Sequence, residues 1–511
     1  MKNKELVLDG SSLDITTIVN TSFSPTKISI SDESWKKINK SYDFFNKIFI
    51  SNTACYGVNT NLGALIDFNI SNNFESDFQN QIINTHAVGW GSKFGIHISK
   101  AILLLRLNCF AKGASGISPN LVKLMITLYN NDAIPEIYTT GSLGASGDLA
   151  PLSHLAAFIN GQGNGYLKGE LISAKEIFKK LKIKPIILKR KEGLSLINGT
   201  SAMTAVGAFA LYSLKKYFKL MLIGMSMLME SNEISNSFIY NKAFKLKSYE
   251  GSNRIVDYLN EIIQLSSEHY TNQNLQPVYS FRCVPFILSE LYENIIRTEN
   301  KLVIESNSVN DNPIYIEEYE KPYHGGHFHG HVISVSMDSL RIATAHLTGV
   351  IDRQLEYIMN GSNNNISPFL SLDPSKGFCG LEGLQYLATS LHIENVHLSN
   401  SYSINTLPTN SGNQDYVSLG LQSSLATLKM VENIKGVLAI YFTTSVQAYA
   451  LRKIQPKNIV HKYIYDSINS IYKFPYSDNR ILSEIISEIG DDKIYEEWLT
   501  IANKYINAKI L

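Results

Sequence analysis

The sequence predicts a mainly α fold, with long helices packed as a bundle behind a loop-rich N-terminal region. Three observations carry that prediction. Prolines are few, 14 in 511 residues, and leave long Pro-free stretches from Val206 to Ser231, His331 to Gly361 and Ser411 to Gln455. In the last of these, Leu421, Leu425, Leu428, Val431, Ile434, Leu438 and Tyr441 step by three or four, the helical period. Residues 286–306 and 97–112 have the same spacing, and no alternation of strand and helix segments accompanies them.

The elements follow in chain order. The N-terminus, MKNKELVLDG, lacks the apolar core of a signal peptide. Cys55, Cys109, Cys283 and Cys379 are far apart with no CxxC pair, which fits a reducing cytoplasm and excludes a disulfide framework or structural zinc. Glycine-rich loops at 57–63, 89–95, 141–147 and 324–330 interrupt the helical pattern and are the places where chemistry belongs. Residues 1–190 carry most of these loops. Residues 191–511 hold the central long helices and the C-terminal helices, with no clean boundary between the two regions. The most membrane-like segment, LMLIGMSMLM at 220–229, is far short of the roughly 20 residues of a spanning helix. Lys plus Arg is 46 against Asp plus Glu at 45, so no basic excess points to nucleic acid. Charged residues make up 18%, below the usual roughly 25%, which points to surface buried in an oligomer.

One stretch stands out: GSLGASGDLAPLSH, residues 141–154. Asp148 and Pro151 suit a helix start, and LAPLSHLAAF begins an apolar-faced helix. That leaves GSLGASG unexplained. A nucleophile elbow requires G-x-S-x-G, and around Ser146 the second glycine is misplaced. A phosphate-binding loop requires a Lys before Ser or Thr, and GxGxxG is absent. A further reading uses the Ala145-Ser146-Gly147 backbone itself. Gly147 has no Cβ to obstruct its amide nitrogen, which can approach the Ala145 carbonyl carbon in a tight turn. Ring closure with loss of two waters, one from the Ser146 hydroxyl, yields an imidazolone bearing an electrophilic methylidene.

The stretch resembles the signature of the aromatic amino-acid ammonia-lyase and aminomutase family. In that family Ala-Ser-Gly forms the MIO group (4-methylideneimidazol-5-one). Other segments resemble it in the same order. Tyr56-Gly57-Val58-Asn59-Thr60 is similar to the family's YGxxTGFG loop, departing at Asn61 and Leu62. Thr85-His86, Asn198-Gly199-Thr200, Gln276 with Tyr279-Ser280-Phe281-Arg282-Cys283, Asn310-Asp311-Asn312-Pro313, HGGHFHG from His324, and Asn413-Gln414-Asp415 complete the series.

The resemblance implies a long-helix bundle of the fumarase/aspartase-like ammonia-lyase type and a homotetramer whose sites combine loops from different subunits. It implies MIO as the cofactor, formed autocatalytically from Ala145, Ser146 and Gly147, and no metal. It implies Tyr56 as the base, with a phenol pKa that must be depressed from its usual value near 10. Tyr279 and Asn198 would orient MIO and the leaving ammonia. Arg282 would clamp the substrate carboxylate. Thr85, His86, Gly63, Gln276, Phe328 and Gln414 would contact the substrate. In HGGHFHGH, the extra His327 and His331 invite a metal reading, but no carboxylate or Cys joins them.

By the same resemblance, His86 faces the substrate ring and suits a polar substituent, and the neutral Gln414 stands where histidine-specific members usually carry Glu. Together they favour L-tyrosine, eliminated to p-coumarate and ammonia. Histidine ammonia-lyase, phenylalanine ammonia-lyase and an aromatic 2,3-aminomutase stay open, as does a non-catalytic helical scaffold.

Overall fold

The computed structural model describes residues 5–51, 53–265, 276–363, 365–477 and 479–511. The fold is mainly α. Its longest helices are Ser201–Ser231, His331–Met359 and Gly420–Arg452, of 31, 29 and 33 residues. At 1.5 Å per residue each extends roughly 45–50 Å. The second and third lie within the predicted Pro-free stretches, and the first begins five residues before its stretch, at Ser201.

The chain divides into two compact units. One comprises Met1–Tyr212, Thr298–Asp338 and Ser401–Leu425; the other comprises Ser213–Arg297, Ser339–Asn400 and Ala426–Leu511. In the second unit the spacing that marked the Gly420–Arg452 helix has a physical cause. Val431, Ile434, Leu438 and Tyr441 are buried. From Val437 to Tyr449 every residue is buried, so the stripe widens into all-round burial, the mark of a central core helix. The polar residues there are satisfied internally: the hydroxyls of Thr443, Thr444 and Ser445 donate to the carbonyls of Ala439, Ile440 and Tyr441. The segment 220–229 is likewise buried throughout. Among the described residues no helix is long and apolar enough to cross a membrane.

The first unit holds the loops. Its Ile96–Ala111 helix is buried from Ser99 onward. Among the described residues there are three small sheets, of two, two and three strands, and the two that contain Glu5–Leu8 and Ala133–Pro135 pack against this helix. They were not foreseen, because strands of three or four residues are too short to show an alternating pattern. One falls inside a predicted loop: Trp90–Lys93 pairs antiparallel with Tyr138–Thr140. The helix expected over 286–306 begins at Ser289, after a separate turn at Val284–Ile287.

Asp148 corrects a local expectation. It sits at the N-cap of Leu149–Ile159 but makes no side-chain cap bond there. Its carboxylate instead accepts the Met203 amide at 2.8 Å, capping the first turn of the Ser201–Ser231 helix. Two helix starts thus meet at one buried residue.

Candidate active site

The 141–148 turn is clamped from two sides. Gly144 and Gly147 have φ of +69° and +70°, values that favour glycine. A Cβ on Gly147 would collide with the Gly199 carbonyl oxygen. That same oxygen accepts the Asp148 amide at 2.6 Å. Asn198 Nδ2 donates to the Ser146 carbonyl at 3.0 Å. On the opposite side Gln414 Nε2 donates to Ser146 Oγ at 3.0 Å, and Leu419 N donates to Leu143 O at 3.0 Å. Asn198 Oδ1 is buried with no hydrogen-bond partner, leaving an acceptor beside the turn.

Asp148, beneath the turn, is fully buried. Burial pushes its carboxyl up to about 7, against the pull of the Met203 and Ala202 amides.

The tyrosine loop lies across from this turn. Tyr56 Oη accepts the Gly63 amide at 2.9 Å, and Tyr56 N donates to His324 Nε2 at 3.3 Å. Asn59 closes the loop through Cys55 N at 2.8 Å and Thr53 O at 2.9 Å. Gln79, from the Glu75–His86 helix, donates to Gly57 O at 3.0 Å. Burial raises the Tyr56 phenol above its usual value, and only the Gly63 amide pulls it down. This is opposite to the depression expected for a base. The physical reason is local: no Lys or Arg lines the cleft among the described residues, so no side-chain cation joins the Gly63 amide against burial.

One cleft of about 710 Å³ joins these parts, within the roughly 300–1,000 Å³ of small-molecule sites. Its lining brings together Tyr56, Gly63, His86, Ala145, Ser146, Asn198, Phe328 and Gln414. Gly147 is buried behind the turn. At the end of its helix, His86 Nδ1 bonds the Ile82 carbonyl at 2.8 Å. The carbonyl can only accept, so Nδ1 carries a proton, and in the neutral ring Nε2 is then the acceptor. Thr85 is not in the lining; its hydroxyl donates back to Gln81 O at 2.7 Å. Gln276, Tyr279 and Arg282 are not in it either and belong to the second unit. There the Arg282 guanidinium stacks on the Tyr279 ring at 4.6 Å, while Tyr279 is 68% exposed.

The lining also contains Leu62, Asn312 and Asn413 from the segments that carry the resemblance, and Asn410 and Tyr416, which the sequence did not single out. The only signal for Asn410 was its place in the turn-forming run Asn410-Ser411-Gly412. Of the clustered histidines, His329 Nε2 bonds Tyr416 O at 3.1 Å, and His331 packs against the Tyr416 ring. Among the described residues no group of three or more His, Cys, Asp or Glu is arranged to hold a metal.

A helical scaffold whose loops wall a small-molecule cleft around a glycine-locked Ala-Ser-Gly turn defines a carbon–nitrogen lyase or the aminomutase allied to it. A family model described as aromatic amino acid lyase matches residues 13–470. Tyrosine 2,3-aminomutase of Myxococcus fulvus is 34% identical over 477 residues, covering 89% of this chain and 90% of that one. Histidine ammonia-lyase of Shouchella clausii is 35% identical over 456 residues, covering 88% and 90%. The solved structure of tyrosine aminomutase from Streptomyces globisporus superposes with a TM-score of 0.92 at 26% identity, covering 99% of this chain and 100% of that one. The chain belongs to the aromatic amino acid lyase family, which is MIO-dependent in general, and its chemistry is that of an ammonia-lyase or aminomutase.

Proposed function

We propose that this chain eliminates ammonia from L-tyrosine, giving p-coumarate. The observation that carries the substrate is His86. With Nδ1 committed to the Ile82 carbonyl, the Nε2 of a neutral His86 ring accepts. A phenol hydroxyl donates, so the pair is complementary, and phenylalanine would leave the acceptor unpaired.

The Ala145-Ser146-Gly147 turn fits MIO. Gly147 and Ala145 lie in one reverse turn, no side chain obstructs the Gly147 amide, and Asn198 already donates to the Ser146 carbonyl. Once formed, the group supplies an electrophile for the substrate amine, which makes it a better leaving group. The remaining work belongs to side chains. Tyr56 removes the β-proton, with the Gly63 amide stabilising the phenolate that must form first. Asn198 and Gln414 hold the two sides of Ser146. Phe328 packs against the ring.

The cleft lacks a cation for the substrate carboxylate among its described lining. Arg282 of a second subunit meets that need in a homotetramer whose sites are shared, with Tyr279 and Gln276 beside it. The same cation would depress the Tyr56 phenol, reversing the effect of burial.

A 2,3-aminomutase acting on tyrosine is the second reading, favoured by the 34% identity to the Myxococcus enzyme. Incubation with tyrosine, histidine and phenylalanine separates the readings. Arylacrylate absorbance from tyrosine supports the lyase, and accumulating β-tyrosine supports the mutase. Turnover of histidine alone, to urocanate, would overturn the tyrosine assignment.

A further inference from the structure

We propose that Asn410 is a positioning residue for proton abstraction: it latches the tyrosine loop to the loop that holds Ser146. The inference rests on the reading of Tyr56 as the base.

Asn410 Oδ1 accepts the Ala64 amide at 3.0 Å, across 346 residues of sequence. The preceding residue, Gly63, is the one whose amide donates to Tyr56 Oη. Gly63 has φ of +55° and packs so closely on the Asn410 amide that a Cβ would collide with it. The latch therefore fixes both the position and the direction of the amide that faces the phenol oxygen.

The other end of the loop reaches the electrophile. Thr409 N donates to Gln414 O at 2.8 Å, and Thr409 Oγ1 donates to Gln414 Oε1 at 3.1 Å. Gln414 Nε2 in turn donates to Ser146 Oγ at 3.0 Å. Five residues thus span from the nucleophile-accepting turn to the base. Asn410 and Ser411 have φ of +52° and +53°, and Gly412 follows at +82°. Such a run is costly for most side chains, and Asn is among those that tolerate it best. The left-handed backbone turns the Asn410 side chain back toward Gly63. The sequence position thus needs a residue that accepts positive φ and also carries an acceptor oxygen.

The consequence is kinetic. Without the latch, Gly63 and Ala64 can drift, and Tyr56 loses the donor that stabilises its phenolate. Substrate binding, which does not use that donor, is left in place.

Asn410→Gly is the informative variant, because it keeps the left-handed backbone and removes only the side chain. Hydrogen exchange of the peptide carrying Gly63 and Ala64 should quicken while the melting temperature holds. The kcat for tyrosine should fall about tenfold with KM little changed, and the isotope effect from β-deuterated tyrosine should grow. Asn410→Asp, which restores an acceptor for Ala64, should recover protection of that peptide and part of the lost kcat. Unchanged exchange in Asn410→Gly would refute the latch outright. Faster exchange with unchanged kcat would refute the positioning role. Tyr56→Phe is run in parallel: if it retains turnover, the base assignment fails and the positioning role fails with it, whereas an inactive Tyr56→Phe beside a fully active Asn410→Gly removes the positioning role alone.

Discussion

A single bond on one imidazole nitrogen decides what the other nitrogen can recognise. His86 spends Nδ1 on its own helix, so the cleft meets an acceptor. His86→Leu should lower kcat/KM for tyrosine by about 10- to 100-fold and raise the phenylalanine-to-tyrosine ratio, because the phenol hydroxyl is then buried without a partner. Competition assays with the two substrates measure this directly, and an unchanged ratio removes His86 from recognition. Ser146 gives the second test at this scale. The wild-type chain should have an intact mass lower by two waters than its sequence requires. Ser146→Ala should lose tyrosine turnover while its circular dichroism stays helical. An unshifted wild-type mass would refute ring formation. Ser146 and Tyr56 stood out in the sequence because each lies in a glycine-bounded motif that no helix start explains, whereas His86 was singled out only through the family resemblance. Asn410 was not legible, since its partner is a backbone amide 346 positions away.

Long elements announced themselves through the 3.6-residue period, which survives wherever one face of a helix meets a core. What the period could not reveal was which helix a capping carboxylate serves. Asp148 looked like the cap of the helix that follows it, yet its acceptor is used by Met203, 55 residues on. Chain neighbours favour the local cap, and only tertiary packing brings the second helix end closer. The pH dependence of stability follows from its burial. Its folded pKa is raised from 3.8 to about 7. For a carboxyl raised in this way, the stabilising contribution is complete below the unfolded value and is lost as pH rises through the folded one. Asp148→Asn keeps an acceptor for Met203 and removes the titration. The variant should therefore gain stability relative to wild type between about pH 4 and pH 7. Denaturant titrations at both ends of that window check the sign, and a constant difference would contradict it.

For the whole molecule, the cleft holds Tyr56 and the Ala-Ser-Gly turn, while Arg282 and Tyr279 lie in the other compact unit and outside the lining. In that unit Tyr279, Ile342, Ile393 and Val396 are large apolar side chains left exposed. On the shared-site reading proposed above, such a face would meet another subunit. On the shared-site reading, Tyr56→Phe and Arg282→Gln chains are each inactive alone. Co-expressed, they should regain a measurable part of wild-type turnover, because some mixed tetramers pair an intact Tyr56 with an intact Arg282. Sedimentation would show the mixed species. Mixed tetramers with no recovered activity would place both residues in one chain's site.

The close approach of Gly147 to Gly199 has a consequence for maturation. The two glycines are 52 residues apart in sequence and touch only after the Leu149–Ile159 and Ser201–Ser231 helices have formed and docked. If the proposed ring forms here, the docked Gly147–Gly199 contact is what holds Ala145 and Gly147 in register for it, so dehydration should follow folding. On that proposal the two lost waters would not be regained on later unfolding, and the mass of a fully denatured sample should record what fraction of its molecules had once reached the native state.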